Sequence, residues 1–233
     1  MNKIKKYLFK IFRFLPLSKN KIVFIAHSAS RFDCNPKAIF EELLQSNAQI
    51  KCIWILNKKL HHEYQDKYPN VLFVEPNSIK TFFHLSTCRV FINNQIHIYY
   101  KKMGFSKRPD QLYLQTWHGS FGMKHVPISD NIDTVHEACT DMDYWITNSF
   151  FESNVYKNTF DKNAKFIEIG HARSDCLFSS CNKNIYSYYN LDPDKKIVLY
   201  APTKREDSFN NFELDFKKLK FILEKNFKLI LLF

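Results

Sequence analysis

The 233-residue chain has only four glycines, and it lacks the glycine patterns of several common enzyme families. It contains no G-x-x-x-x-G-K-[ST] phosphate loop, no G-x-G-x-x-G dinucleotide fingerprint and no G-x-S-x-G nucleophile elbow. The sequence therefore gives no support to the enzyme classes that depend on these motifs. Two of the four glycines, Gly119 and Gly122, stand in the stretch QTWHGSFGMKH. Glycine at such positions indicates an unusual backbone turn or the close approach of a ligand.

The sequence has little that would hold a metal ion or form a disulfide. Its six cysteines are scattered without a C-x-x-C pair, and His61, His62 and His97 show no metal-ligand spacing. The pattern predicts reduced thiols and neither a disulfide framework nor a zinc site. No metal and no other cofactor is expected, and these three histidines receive no role.

A long apolar run is missing near the N-terminus, because Lys and Arg residues interrupt MNKIKKYLFKIFRFLPLSKNK. The segment lacks the apolar core of a signal peptide, and it is too short and too charged to span a bilayer. On a helix its apolar side chains share one face: Ile4, Tyr7, Leu8, Ile11 and Leu15. Residues 1–18 therefore predict a basic amphipathic helix, with residues 1–15 on an anionic membrane surface. The alternative is a helix that packs on the following domain.

Negative charge is scarce relative to positive charge. The chain has 34 Lys and Arg against 23 Asp and Glu, which gives a net charge of +11. This balance indicates an anionic partner, such as a phosphorylated substrate or an acidic membrane surface. Nucleic acid is not expected as a partner, because no basic and aromatic run resembles a nucleic-acid-binding motif.

Short apolar strands alternate with helical patterns along the rest of the chain, beginning with KIVFIAH and NPKAIFEELLQ. This alternation predicts an α/β protein with parallel sheets, and the apolar strands indicate that both sheet faces are covered. We expect Asn35 to cap the first of these helices, with Pro36 at its first position. The expected domains are a Rossmann-like domain at 19–180, a polar linker at 181–195 and the beginning of a second Rossmann-like domain at 196–233.

Polar side chains follow four predicted strands at their carboxyl ends, which is where α/β sheets bind ligands. They are His118, then Asn148 and Ser149, then Gly170, His171, Arg173 and Asp175, and last Thr203, Lys204 and Arg205. We expect these strand ends to line one cleft for a phosphorylated ligand.

Each of these groups also has a structural explanation. His118 is explained equally well as a core histidine bonded to a carbonyl group. Ser149 fits a helix N-cap, with Glu152 completing a capping box. Arg173 and Asp175 fit a local ion pair, and residues 204–207 fit a solvated run of charges.

QTWHGSFGMKHV resembles the Q-x-W-H-G-T-x-x-K motif of the CDP-glycerol glycerophosphotransferase family, which includes teichoic acid primases and polymerases. Four further stretches resemble segments of this family in the family's order: KNKIVFIAHSASRFDCNPKAIFEELL, ITNSFFESNVYKNTF, IEIGHARSDCLF and KKIVLYAPTKRED. Each motif is loose by itself, but the set is specific and covers nearly the whole chain.

The resemblance implies a GT-B fold, in which two Rossmann-like domains face each other. It implies transfer of glycerol phosphate from CDP-glycerol to a hydroxyl of a lipid-linked or polymer acceptor, in the synthesis of teichoic acid or a capsule-like polymer. It also implies a peripheral protein on the cytoplasmic face of the bacterial cell membrane. His118 holds the position of the family's general base. Arg173 and Arg205 are candidates to stabilise the pyrophosphate and the CMP leaving group.

The substrate-binding residues expected on this basis form one set: Trp117, Gly119, Ser120, Lys124, Asn148, Ser149, Arg173, Asp175, Thr203 and Arg205. The chain departs from the family pattern at three of its motif positions, with Ser120 for Thr, Ala172 for Pro and Lys204 for Trp. It also ends at Phe233, before the family's basic segment that carries a second essential histidine. We therefore expect a C-terminally truncated member of the family.

Two other functions stay open at this point. One is a non-catalytic remnant or partner subunit, and the other is a GT-B glycosyltransferase that uses a nucleotide sugar. The sequence also leaves open whether the donor carries glycerol phosphate or ribitol phosphate, and which polymer accepts it.

Overall fold

A computed structural model describes residues 2–46, 49–120, 132–161, 163–178, 185–194, 196–200, 215–223 and 227–231. The chain divides into two compact units, Met1–Phe178 and Ser179–Phe233. The division lies close to residue 180, where the sequence predicts the end of the first domain.

The first unit is built on a parallel sheet of seven strands in the order β3-β2-β1-β4-β5-β6-β7. The strands are β1 Ser18–Ile25, β2 Lys51–Ile55, β3 Leu72–Val74, β4 Cys88–Asn93, β5 Leu112–Gln115, β6 Tyr144–Thr147 and β7 Lys165–Glu168. The register is fixed at the centre, where Val23 of β1 pairs with Ile53 on one side and with Phe91 on the other. The chain winds outwards in one direction from β1 and then in the other from β4. The switch point of the sheet therefore lies between β1 and β4.

Helix α1 Asn2–Phe12 precedes the first strand, and further helices connect the strands as parallel pairing requires. The connecting helices are α2 Cys34–Gln45, α3 Lys58–Gln65, α4 Ile79–Thr87, α5 Ile98–Lys102, α6 Ile132–Cys139 and α7 Phe150–Thr159. Two short 3-10 helices, His27–Ala29 and Ala172–Leu177, follow β1 and β7. The sequence analysis predicts α2 in NPKAIFEELLQ and the start of α7 after the expected cap Ser149.

Aromatic side chains fill the core on both faces of the sheet. One cluster contains Phe24, Phe32, Phe40 and Trp54, and each of these rings lies within 6 Å of at least two of the others. The other cluster contains the buried side chains of Phe9, Phe82, Trp145 and Tyr156, among others. Burial on both faces explains why the strands are apolar throughout rather than alternating.

Helix α1 packs on the first unit, and its buried face is not the one predicted. Phe9 is 2% exposed and lies edge to face with Phe82, with ring centroids 4.8 Å apart. Of the apolar residues that the sequence placed on one face, Leu8 is partly buried against the core, whereas Tyr7 and Ile11 are 63% and 59% exposed. The helix therefore has an apolar face towards the core and a second one towards solvent. None of the described helices is long and apolar enough to cross a membrane.

The predicted cap of α2 is wrong by two residues. The helix begins at Cys34 with Asp33 at its N-cap, so Asn35 and Pro36 lie inside the first turn. Asn35 is fully buried, and its side-chain amide binds backbone groups of another loop instead of its own helix. Its side chain therefore helps to hold the loop that follows β5, which belongs to the candidate site.

The second unit contains two parallel strands, β8 Lys196–Tyr200 and β9 Phe227–Leu231, with helix α9 Phe216–Leu223 between them in the chain. A short helix, α8 Ile185–Tyr188, lies in the segment predicted to be a linker. The predicted α/β class is therefore confirmed in both units. The second Rossmann-like domain expected from residue 196 onwards stays a prediction.

Candidate functional site

The candidate site lies at the carboxyl edge of the seven-stranded sheet, at the switch point between β1 and β4. The loops after β1, β4 and β5 bring His27, Asn94 and His118 together there. Open α/β sheets bind their ligands at this place, because the loops diverge on the two sides of the switch point. The prediction that His118 belongs to a cleft at the strand ends therefore has a geometric basis.

His118 is held by one short hydrogen bond and one ring stack. Its Nδ1 lies 2.6 Å from the carbonyl oxygen of Asn94. Its imidazole stacks on the indole of Trp117, with centroids 4.5 Å apart and 28° between the planes. A hydrogen bond to a backbone carbonyl is what the alternative of a core histidine predicts, but the His118 side chain is only half-buried. The ring is therefore fixed in position while part of it stays accessible.

The bond to Asn94 decides which nitrogen of His118 carries the proton. A carbonyl oxygen can only accept, so the Nδ1–H must donate and Nε2 keeps its lone pair. Burial lowers the pKa of His118 below 6.5; the bond to Asn94 opposes this, and the nearby His27 and Arg173 lower it further. Near neutral pH the site therefore presents an unprotonated Nε2, which is the form that a general base needs.

The backbone turn at this site is made by Trp117 and not by a glycine. Trp117 has a φ of 49°, in the left-handed region, whereas Gly119 has no left-handed φ and a Cβ built on it meets nothing within 4 Å. The strained residue is held in place by its backbone N–H, which donates to Gln115 Oε1 at 2.9 Å, and by contacts of its indole with buried rings. The expectation that glycine supplies the turn is thus wrong for Gly119, which instead leaves open space beside His118. Gly122 lies outside the described residues.

His27 is a site residue that the sequence analysis missed. Its backbone N–H donates to Asn94 Oδ1 at 2.8 Å, and its ring faces that of His118 at 5.5 Å between centroids. Its Nε2 lies 3.3 Å from Asp33 Oδ1. Burial lowers its pKa, with Asp33 acting in the opposite direction. His27, Ser28 and Ala29 all have positive φ, and such strain concentrates at functional sites.

Arg173 joins the site through Asn35. The side-chain oxygen of Asn35 accepts from the Arg173 backbone N–H at 3.1 Å, and its amide nitrogen donates to the carbonyls of Thr116 and Trp117 at 2.9 and 3.0 Å. The Arg173 guanidinium donates to the carbonyl oxygen of His118 at 2.8 Å. This guanidinium is therefore held beside His118 by a carbonyl group, and not by the ion pair with Asp175 that was the structural alternative. Asp175 is exposed and forms no ion pair within the described part of the chain.

Ser120, Asn148 and His171 form a second polar group beside the first. Asn148 Nδ2 donates to Ser120 Oγ at 2.8 Å, and His171 Nε2 lies 3.2 Å from the same oxygen. Ser149 caps α7 as the structural alternative predicts, since its side chain accepts from the Glu152 backbone N–H at 3.3 Å. Asn148 is thus in the cleft, whereas Ser149 caps the helix beside it.

The structure therefore brings together three of the four predicted strand ends. Lys124, Thr203 and Arg205 lie outside the described residues, so their placement in the site stays a prediction. Among the described residues, no group of three or more His, Cys, Asp or Glu side chains is placed to hold a metal ion. The position of Asn94 at a strand end could have been read from the sequence, because the polar run Asn-Asn-Gln follows the apolar part of β4, but its contacts with His27 and His118 could not.

Comparison with known proteins identifies the family to which the chain belongs. The sequence matches the family model CDP-Glycerol:Poly(glycerophosphate) glycerophosphotransferase over residues 7–233. The chain belongs to this family. It is 28% identical to the teichoic acid poly(glycerol phosphate) polymerase of Bacillus spizizenii over 257 residues, covering 98% of this chain and 63% of that protein. It is also 28% identical to the teichoic acid glycerol-phosphate transferase of Staphylococcus aureus over 264 residues, covering 99% of this chain and 65% of that protein.

The fold of this glycerophosphotransferase family member is similar to solved structures of the wall teichoic acid polymerase TagF. A TagF variant soaked with CDPG superposes with a TM-score of 0.77 at 23% identity, covering 97% of this chain and 60% of that one. The unsubstituted TagF superposes with a TM-score of 0.76. This likeness confirms the expected GT-B-like fold class. The chain spans less than two thirds of the length of these relatives.

Proposed function

We propose that this protein transfers glycerol phosphate from CDP-glycerol to a hydroxyl of a membrane-linked acceptor during synthesis of a cell-surface polymer. The family supports the donor and the reaction class. The observation that carries the proposal is the Asn94–His118 bond, because it leaves the Nε2 of His118 unprotonated at the switch point of the sheet.

In this reaction the acceptor oxygen attacks the phosphorus that bears glycerol. His118 Nε2 takes the hydroxyl proton as the new O–P bond forms. The P–O bond to the CMP phosphate breaks, and CMP leaves with the bonding electrons. The Arg173 guanidinium lies next to His118, where a fixed cation would stabilise the negative charge that develops on the phosphoryl oxygens.

The direct test is release of CMP from CDP-glycerol by the purified chain in the presence of a lipid-linked glycerol phosphate acceptor. We expect His118→Asn to lower the rate by about 100-fold or more, because a general base contributes about 10²- to 10⁴-fold. His62→Asn is the matched control, since His62 is exposed on α3. A folded His118→Asn variant with the wild-type rate would contradict the role of His118.

The same assay separates the other functions. CDP-ribitol and a panel of nucleotide sugars are offered in competition with CDP-glycerol. A nucleotide sugar that is consumed in place of CDP-glycerol would identify a glycosyltransferase. Calorimetric titration with CDP-glycerol that shows no binding would identify a non-catalytic remnant or partner subunit.

We also propose that α1 holds the protein on the cytoplasmic face of the membrane as a peripheral protein. Tyr7 and Ile11, one helical turn apart on α1, are both exposed, and Phe14, in the turn just after the helix, is 91% exposed. A groove beside the end of this segment carries three cationic side chains, and Arg108 donates from it to the Leu15 carbonyl at 2.7 Å. The groove is lined by Leu17, Lys19, Arg89, Arg108 and Asp110. Exposed apolar side chains next to cations are what an anionic lipid surface binds.

Vesicle sedimentation tests this placement. We expect binding to vesicles that contain phosphatidylglycerol and weaker binding to phosphatidylcholine alone, with a loss at high salt. Ile11→Glu should abolish binding, whereas Leu44→Glu, at an exposed apolar position of α2, should not. Equal binding by both variants would refute the role of α1.

A further inference from the structure

The Ser120 hydroxyl contacts two polar side chains that follow neighbouring strands. Asn148 Nδ2, after β6, donates to its Oγ at 2.8 Å, and His171 Nε2, after β7, lies 3.2 Å from the same oxygen. Ser120 is exposed, whereas His171 is only 7% exposed. A buried imidazole therefore reaches the cleft only through the serine hydroxyl.

The position of Glu152 shows which way the Ser120–His171 bond runs. Glu152 is 1% exposed, and both of its carboxylate oxygens lie 3.3 Å from His171 Nε2. An ionised carboxylate can only accept, so Nε2 must carry the proton and donate. His171 Nδ1 is buried and has no hydrogen-bond partner among the described residues. An unpartnered lone pair is tolerated there more easily than an unpartnered N–H.

Glu152 is itself fixed by donors of its own. Its Oε2 accepts from the Asn148 backbone N–H at 2.7 Å, and its Oε1 lies 2.9 Å from the Tyr156 hydroxyl. The Tyr156 hydroxyl also lies 3.1 Å from the carbonyl oxygen of Gly119. The carboxylate therefore cannot turn away from His171 without breaking its hydrogen bonds to Asn148 and Tyr156.

This arrangement resembles a Ser–His–Glu triad in composition but not in geometry. In a triad the carboxylate binds one imidazole nitrogen and the serine binds the other, so that the histidine can take the serine proton. Here Ser120 and Glu152 both contact Nε2. His171 therefore has no free lone pair facing Ser120 and does not activate it as a nucleophile.

We propose that His171 is a positioning residue that, together with Asn148, turns the Ser120 hydroxyl proton outwards as a donor to a phosphoryl oxygen of the glycerol phosphate donor. His171 carries one N–H on Nε2, so this proton is shared between the Glu152 carboxylate and Ser120 Oγ, while Asn148 Nδ2 donates to the same serine oxygen. Because both N–H groups are directed at its oxygen, the Ser120 O–H would point away from them, towards the exposed side of the residue. The inference rests on the proposed function, since it names the group that Ser120 would bind. Ser120 is the residue in contact with substrate, and His171 acts through it.

The first experiment needs no substrate. Long-range ¹H–¹⁵N spectra of the full chain labelled with ¹⁵N-histidine report the tautomer of each imidazole, with His171→Gln used for assignment. We expect a proton on Nε2 of His171 at neutral pH. A spectrum in which Nε2 carries no proton overturns the inference, whether or not the protein turns over CDP-glycerol.

The second experiment is a double-mutant cycle on CMP release with Ser120→Ala, His171→Leu and the combined variant. Each single change should lower kcat/KM by about 10- to 100-fold, which is the range for one hydrogen bond to a charged group. The combined variant should be no slower than either single variant, because both remove the same contact. Multiplied losses would overturn the inference.

His171→Gln is the conservative variant, since its amide can donate from near the position of Nε2. It should keep most of the wild-type rate. It also provides a second variant for the test if His171→Leu does not fold. A loss as large as that of Ser120→Ala in a folded His171→Gln protein would count against positioning by a donated N–H. If the wild-type chain releases no CMP, the proposed function fails, and the tautomer still decides how His171 contacts Ser120.

Discussion

The rings of His27 and His118 lie edge to face with their centroids 5.5 Å apart, although one follows β1 and the other follows β5. Asn94 explains this proximity. It follows β4, which lies between β1 and β5 in the sheet, and it accepts from the His27 backbone at its side chain and from His118 at its carbonyl group. One residue thus places both imidazoles.

The proximity of cationic groups leads to a prediction about the pKa of His118. Removing the positive charge of Arg173 should raise this pKa, because that charge disfavours the imidazolium form. We expect Arg173→Gln to shift the His118 titration to higher pH in ¹H–¹³C spectra of the free protein. In wild type the base form persists at pH values below 6.5, and activity should fall only as the pH drops below the lowered pKa.

Arg31→Gln is the control for this titration. Arg31 lowers the pKa of His27 but is not among the groups that perturb His118. The variant should therefore raise the pKa of His27 without raising that of His118, since a more positive His27 lowers the pKa of His118. An unchanged His118 titration in Arg173→Gln would contradict the electrostatic account.

The buried and exposed sides of the N-terminal segment, formed by α1 and the turn after it, should respond differently to truncation of a phenylalanine. Phe9 is 2% exposed and contacts the rings of Phe82 and Phe105, whereas Phe14 is 91% exposed. Phe9→Ala should lower the free energy of unfolding by about 3 to 5 kcal/mol, because it leaves a cavity. Phe14→Ala should change it by less than about 0.5 kcal/mol. Urea unfolding followed by circular dichroism measures both, and equal losses would mean that the assignment of the faces is wrong.

The sequence predicts the strands and their carboxyl ends well, because buried parallel strands are continuous apolar runs that end in polar residues. It predicts the meeting of His118, Asn148 and Arg173 for that reason. It does not predict the role of Asn94 or His27, since spacing along the chain does not show that β1 and β4 are adjacent. Strand order comes from how the crossover helices pack, which is a tertiary property.

Local rules fail where tertiary contacts override them. Asn35 is a good N-cap residue by preference, but three backbone groups of other loops use its amide. Trp117 takes a conformation that favours glycine, because buried rings and Gln115 hold it there. The face of α1 was misassigned for the same reason: Phe9 and Phe12 find aromatic partners in the domain. Such conflicts cluster at functional sites.

We expect the buried imidazole of His84 to make the protein less stable in mild acid. Burial lowers its pKa to about 4, and Lys21 and Lys80 contribute. Between pH 6.5 and 4 the unfolded chain binds a proton at this histidine and the folded chain does not. The free energy of unfolding is therefore not reduced by His84 above pH 6.5, and it decreases as the pH falls below that value. The loss should reach about 3 kcal/mol near pH 4.

His84→Leu should remove this part of the pH dependence. Urea unfolding at pH 7 and pH 4.5 measures the difference for wild type and variant. His62→Leu is the control, because His62 is exposed and its removal should leave the difference unchanged. A wild-type pH dependence in His84→Leu would show that other groups carry the whole effect.

Gly119 and Gly170 should respond in opposite ways to an added methyl group. Gly170 has a φ of 89°, so Gly170→Ala should cost about 1 to 2 kcal/mol of stability through backbone strain. Gly119 has no left-handed φ and open space around its Cβ position, so Gly119→Ala should fold with unchanged or slightly raised stability.

If substrate occupies the space beside His118 and Ser120, the methyl group of Gly119→Ala will raise KM for CDP-glycerol in a fully folded protein. Thermal unfolding and CMP release measured on both variants separate the two effects. A Gly119→Ala protein with wild-type KM would mean that the substrate does not approach the backbone there.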